Sequence, residues 1–177
     1  IKNEKFCIGV SGGPDSLALA FLAKIFSKEF NSKFVALIID HNLRKQSGTE
    51  ARKVKKILTK HKIRAKILTW KGQIPQSNIQ FNARNIRYFL LNKECKKLNI
   101  RNLVLAHHEG DLIENFFIRL FRGSGLRGLS SLNIKRHSEK KNLNLIRPLI
   151  NTKKDELIYI SKKVFKFYLT DPSNFEE

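Results

Sequence analysis

The sequence predicts an α/β fold: a doubly wound, mainly parallel five-stranded sheet with helices on both faces. Three observations carry that expectation. Apolar runs of strand length alternate with longer segments of helical period, the pattern of βαβ units. The apolar runs are continuous rather than alternating, as parallel strands covered on both faces require. Polar clusters follow the strands directly, at the carboxyl ends where open parallel sheets bind ligands.

The first predicted strand is Phe6–Val10, "FCIGV", and a helix is expected from about Asp15 to Phe26. "FVALIID", Phe34–Asp40, is the second strand. Ser47-Gly48-Thr49-Glu50 reads as a capping box, which sets the start of a second helix ending near His61. "AKILTW", Ala65–Trp70, gives a third strand, and Asn78–Leu98 a long third helix. "NLVLAH", Asn102–His107, is the fourth strand, followed by a helix from about Gly110 to Phe121. A last helix is expected near Lys153–Val164, after Arg147-Pro148. "KRHSEKKN", 135–142, is the expected exposed loop, and Trp70 reads as core.

With 177 residues, 41% of them hydrophobic, the chain fits one domain over 1–177. Its charge is the unusual feature: 35 Lys+Arg against 15 Asp+Glu give +20, which favours a polyanionic partner. Cys7 and Cys95 lie far apart in sequence and form no C-x-x-C pair, so a disulfide framework and a cysteine metal site are excluded; both read as buried thiols. No apolar run reaches the length of a membrane span and nothing at the start reads as a signal peptide, so a cytoplasmic protein without a membrane partner is expected.

The stretch between the first strand and helix is "SGGPDS": Ser11, Gly12, Gly13, Pro14, Asp15 and Ser16. Glycines there let the backbone approach a ligand closely, and the amides opening the next helix point at an anion. The common nucleotide P-loop needs a Gly-Lys-Ser/Thr, which is missing, so a pyrophosphate held by backbone and hydroxyls is the natural ligand. Asp15 is suited either to Mg²⁺ or to capping the helix.

Further polar groups follow the other strands. Asp111 and Glu114, three apart, fit one helix face and suit Mg²⁺, although acids in a first helical turn also serve the helix dipole. His107 and His108 lack a third ligand for zinc, so one histidine is expected to line the site and the other to pack. Arg84 and Arg87 share a helix face, and Arg119, Arg122 and Arg127 flank Gly123-Ser124-Gly125. Planar guanidiniums on a glycine loop suit RNA phosphates or an unstacked base.

At this point the sequence resembles a known family. "SGGPDS" is similar to the PP-loop of the N-type ATP pyrophosphatases, a Rossmann-like fold of the adenine nucleotide alpha hydrolase kind. "DHNLR" (Asp40–Arg44), "NARNIRYFLL", "LAHHEGDLIENFFIRLFRGSGLRGLSSL", "RPLI" and "DPSN" resemble, in order, motifs of the tRNA(Ile)-lysidine synthetases over almost the whole chain. Gly110-Asp111 and Glu114-Asn115 depart from the family's paired acids and Glu-Thr, which leaves that carboxylate function to Asp111. The chain stops where members of the family continue, so their carboxyl-terminal tRNA-binding domains are expected to be absent from it.

The resemblance implies an ATP-dependent ligase with Mg²⁺ as cofactor. Free L-lysine and a tRNA(Ile) with a CAU anticodon would be its partners, and a homodimer is compatible. Catalysis would fall to Asp40, Asp111 and Arg84. ATP would be held by Ser11, Gly12, Gly13, Pro14, Asp15, Ser16 and His107. His41, Arg44, Arg87, Glu114, Arg119, Arg122, Gly123, Gly125 and Arg127 would meet tRNA or lysine. Mg²⁺ would lie with Asp15, Asp111 or Glu114. Rival readings are a PP-loop amidotransferase with a small-molecule acceptor, a thiolating PP-loop enzyme and a basic nucleic-acid-binding module. The charge disfavours the first, and the lack of paired catalytic cysteines disfavours the second.

Overall fold

The computed structural model describes residues 1–73, 75–121, 123, 135–138 and 143–169. Its elements run β1 (Lys5–Val10), α1 (Pro14–Glu29), β2 (Lys33–Asp40), α2 (Ser47–Lys60), β3 (Ala65–Thr69), α3 (Ile79–Lys97) and β4 (Asn102–Val104). They continue with α4 (Glu109–Phe121), β5 (Lys135–Ser138), β6 (Leu143–Ile146) and α5 (Lys154–Phe165). The strands form one sheet in the order β3-β2-β1-β4-β6-β5. β3, β2, β1, β4 and β6 run parallel, the five strands of the expected fold class, although β6 has no counterpart among the four strands read from the sequence. A sixth, β5, pairs antiparallel with β6 at the edge.

The two faces of β1 show why its run is continuous. Phe6, Ile8 and Val10 turn toward one layer, where α1, α2 and α5 bring Leu17, Val54, Leu58 and Leu157 against them. Cys7 turns the other way, into a cluster with Leu37, Leu91, Cys95 and Leu103 that carries α3. The cysteines distant in sequence are therefore neighbours, both fully buried and free. Burial and the second thiol push the Cys7 thiol up, so it stays protonated.

Some expectations need correction. β4 stops at Val104 rather than His107: Leu105 N still donates to Ile146 O at 2.9 Å, and the chain parts from the sheet beyond it. Residues 135–138 are strand, not loop. An edge strand is hydrogen-bonded on one side only and needs no apolar run, so "KRHS" carries no strand signal. Residues 139–142, the rest of that expected loop, lie outside those described. The capping box before α2 is not formed: Gln46 is the N-cap, without a side-chain bond. α4 is unusual in leaving Ile113, Phe116, Phe117, Leu120 and Phe121 exposed.

Candidate active site

The sheet reverses direction of growth at β1. β2 lies on one side of it and β4 on the other, so a crevice opens beyond their carboxyl ends. The 11–16 loop fills the centre of that crevice. It is organised around the Ser16 hydroxyl, which accepts the amides of Ser11 (3.2 Å) and Gly12 (3.1 Å) and donates to the Gly13 carbonyl at 2.9 Å. The Ser11 hydroxyl, exposed, also reaches Ser16 Oγ at 3.3 Å. Ser16, buried, is thus the pin of the loop rather than a hydroxyl aimed outward.

The two glycines differ. Gly12 has φ +95°, and a Cβ there would stand 2.6 Å from Val54 Cγ2 and 2.7 Å from Leu169 Cδ1. Gly13 has an ordinary φ of −68° and caps α1, with Pro14 preset for the first helical turn. A Cβ on Gly13 would meet only Ser11 Oγ at 3.7 Å, so nothing in its backbone requires glycine. Helix α1 then presents its unpaired first-turn amides to the crevice.

Asp15, in that first turn, faces His108 after β4. His108 Nε2 stands 3.6 Å from Asp15 Oδ2 and 3.9 Å from Asp111 Oδ2. Gly110 N donates to His108 Nδ1 at 3.0 Å, which leaves Nε2 carrying the proton toward the acids. Asp111 in turn accepts the His108 amide at 2.8 Å. Burial raises the Asp15 pKa above the usual carboxylate value, His108 and Lys154 pull against that, and Asp111 adds to it. Its Oδ1 is buried and has no hydrogen-bond partner among the described residues. An orphaned carboxylate oxygen beside a second carboxylate fits a hard, oxygen-seeking cation. Glu114 is exposed and joins none of these contacts among the described residues.

Asp40 ends β2 and is buried. Its Oδ1 accepts the Asn42 amide at 3.0 Å and the Ser47 hydroxyl at 2.8 Å, and Thr69 approaches Oδ2 at 3.4 Å. The first bond is an aspartate turn onto its own backbone two residues on, with Asn42 at φ +53°. Ser47, expected to cap α2, instead fastens the 41–47 segment to Asp40. Arg44 is exposed and ion-pairs with Glu50 at 3.6 Å.

His41 and His107 sit between the basic helix α3 and the strand ends. Burial lowers the pKa of His107 to about 4, with Asp111 opposing and Arg147, Arg84 and Arg87 adding to the fall. Burial also lowers His41, reinforced by Arg87 and opposed by Asp40. The Nδ1 atoms of both are buried without a hydrogen-bond partner among the described residues. The structure thereby gathers Arg84, Arg87, His41, His107 and Asp111 around one crevice. Gly123 is exposed at φ +66°. The Arg119 side chain and Arg122, Gly125 and Arg127 lie outside what is described.

Four contributors escaped the sequence reading. His108, not His107, meets the 11–16 loop. Ser161 donates to the Pro14 carbonyl, and Leu169 N donates to Gly12 O at 2.9 Å. Lys154 acts on Asp15 by charge. The adjacent histidines gave no signal as to which faces the loop. The other three approach from more than a hundred residues away, which no local pattern reports.

Comparison with known proteins adds three findings. A family model described as "PP-loop domain" matches residues 1–177. The tRNA(Ile)-lysidine synthase of Orientia tsutsugamushi is 43% identical over 174 residues, covering 98% of this chain and 38% of its own length. That of Rickettsia bellii is 42% identical over 172 residues, covering 97% and 39%. The chain therefore spans about two fifths of the curated relatives it matches. Among solved structures, the U34-tRNA thiolase NcsA from Methanococcus maripaludis superposes over 100% of this chain and 62% of its own, with TM-score 0.82 at 22% identity. The NH3-dependent NAD synthetase of Campylobacter jejuni covers 94% and 69%, with TM-score 0.51 at 17% identity. At those identities the likeness is one of fold.

Proposed function

Because the chain belongs to the PP-loop domain family, we propose that it joins free L-lysine to the wobble cytidine of the CAU anticodon of tRNA(Ile) at the expense of ATP. The product is lysidine, formed through an adenylated cytidine with release of AMP and pyrophosphate. The names of relatives at 43% and 42% identity support this acceptor, and the net charge of +20 suits an RNA. The observation that carries the reading is the 11–16 loop, with Asp15 in it, facing His108 and Asp111 across the switch point.

The ring carbonyl oxygen of cytidine is a poor leaving group. Attack by that oxygen on the α-phosphorus forms an O–P bond and expels pyrophosphate, which the helix-start amides of α1 stabilise as charge moves onto it. Asp15, through its Oδ1, would hold Mg²⁺, which would add neutralisation of the phosphates when bound. His108, with its proton on Nε2, fixes Asp15 and Asp111 relative to each other.

The lysine amine then attacks the ring carbon, and AMP departs. An unperturbed ammonium has a pKa of about 10.4, so a base must take its proton at neutral pH. Asp111 is the carboxylate suited to this, since Asp40 already holds three donors and serves to shape the 41–47 segment. Burial, helped by Arg147, Arg84 and Arg87, keeps His107 neutral, and Arg84 and Arg87 offer guanidiniums to the anticodon-loop phosphates. The reaction belongs in the cytoplasm, where ATP, lysine and tRNA meet. No helix among the described residues is long and apolar enough to cross a membrane.

The test is AMP release from ATP, with and without lysine and a CAU-anticodon tRNA(Ile) transcript. Release that requires the tRNA, with lysine incorporated into it, is expected. Release indifferent to tRNA would replace this acceptor with a small molecule.

A further inference from the structure

Beside the active site lies a second cleft of about 900 Å³, lined by Trp70, Gln73, Gln76, Asn82, Asn85 and Ile86 with Pro75. Trp70 leaves the sheet immediately after β3 and donates its amide to the Asp40 carbonyl at 2.9 Å, so the cleft adjoins the end of β2. Trp70 is not core, as its sequence suggested, but half-buried at the cleft wall.

The indole is built into place. Gly72 lies flat against it: a Cβ on Gly72 would fall 2.3 Å from Trp70 Cζ2. Trp70 Nε1 donates to the Gln73 carbonyl at 3.0 Å, and Phe89 meets the ring edge-on at 6.0 Å between centroids. Gln73, Gln76, Asn82 and Asn85 bring carboxamides to the lining, and Pro75 and Ile86 are its other apolar part. Asn82 is oriented by donating Nδ2 to the Ser77 carbonyl at 2.8 Å, one turn before Asn85. No charged side chain lines the cleft among the described residues. Such a lining suits a neutral polar ligand better than a phosphate or an amino-acid charge.

We infer that this cleft is a subsite for an unpaired RNA base adjoining the one that is modified. A carboxamide offers a donor and an acceptor side by side, the complement of a base edge, and a fixed indole gives the base an apolar wall to stack on. The volume lies within the range of small-molecule sites, room for at least one base. Arg84 and Arg87, on α3 beside Asn85, are placed for the phosphates on either side. The inference rests on the reading that the acceptor is RNA.

Trp70 is the one tryptophan of the chain, so its emission reports this cleft alone. A dye-labelled anticodon stem-loop RNA, titrated without ATP, gives two independent readouts: dye polarisation for RNA binding and tryptophan emission for the cleft. Both are expected to change over the same concentration range, while a fully paired hairpin without a loop leaves the emission constant. The Asn82→Ala, Asn85→Ala double variant is expected to weaken stem-loop binding about five- to a hundredfold and to lose the emission change. Its unliganded tryptophan spectrum serves as the check that it folds. Polarisation that rises without an emission change excludes the cleft and leaves the RNA reading standing. No rise in polarisation removes the RNA reading and the inference with it. Equal quenching in the double variant overturns the carboxamide recognition.

Discussion

His108 Nε2 stands 3.6 Å from Asp15 Oδ2, joining the first turn of α1 to the chain just beyond β4. Two carboxylates and one imidazole meet where the sheet changes direction, and several measurable consequences follow from their burial.

Asp15 is a partly buried acid whose pKa is raised by that burial, so its ionised form weakens the fold. Such a group contributes stability while protonated and loses it as pH rises through its folded-state pKa. Asn at this position does not titrate. Asp15→Asn should therefore raise the melting temperature at neutral pH by a few degrees, on the order of 1 kcal/mol, with the advantage growing as pH rises from the ordinary carboxylate range toward neutrality. The same variant should release no AMP. Thermal melts across that pH range give the answer; a gap between the two proteins that shrinks as pH rises would contradict the assignment.

His107 titrates in the opposite sense. Its folded pKa of about 4 lies below the unfolded value near 6.5, so the unfolded chain binds a proton that the folded one refuses. Its contribution is present above pH 6.5 and is lost as pH falls toward 4. His107→Gln should flatten that acid branch, and urea unfolding at pH 7 and at pH 4.5 measures it. Parallel losses in both proteins would show that another group is responsible.

The two loop glycines should separate cleanly. Gly12→Ala meets a positive φ and two side chains at 2.6 and 2.7 Å, so a loss of about 2–4 kcal/mol is expected. Gly13→Ala should stay within about 0.5 kcal/mol of the parent in stability. Equal melting temperatures for the two variants would mean that the loop has a different backbone.

Ser47→Ala removes the 2.8 Å bond to Asp40 Oδ1 and should cost about 1–2 kcal/mol as well as turnover. Arg52, exposed and bonded to Thr49 on its own helix, provides the control: Arg52→Ala should be near neutral. Steady-state rates alongside denaturant curves distinguish a displaced 41–47 segment from a merely weakened fold.

How much of this was legible beforehand depended on whether the cause was local. Phe34–Asp40 declares itself because both its faces are buried, and the 11–16 loop because glycine, proline and aspartate each have a backbone reason to stand there. Leu143–Ile146 did not, since four residues including an asparagine carry too little apolar signal. Asn144 pairs instead with Asn102 at 3.0 Å, and Asn102 with Glu4 at 2.7 Å, a polar row across the sheet that only tertiary pairing explains. Ser47 misled for a related reason. Its pattern suited a helix cap, but the buried carboxylate of Asp40 offered the hydroxyl a stronger acceptor.

The sheet order also has a kinetic side. β1, β2 and β3 with their two connecting helices occupy one continuous stretch of chain, so that half can assemble from contacts close in sequence as it leaves the ribosome. The other flank of β1 must wait for residue 102, and the clasp on Gly12 waits for Leu169. Until then β1 is a sheet edge and the 11–16 loop lacks the His108 side of its crevice. Recovery of ATP binding after dilution from denaturant would accordingly lag behind recovery of helical signal, and the interval between them times the closing of the sheet.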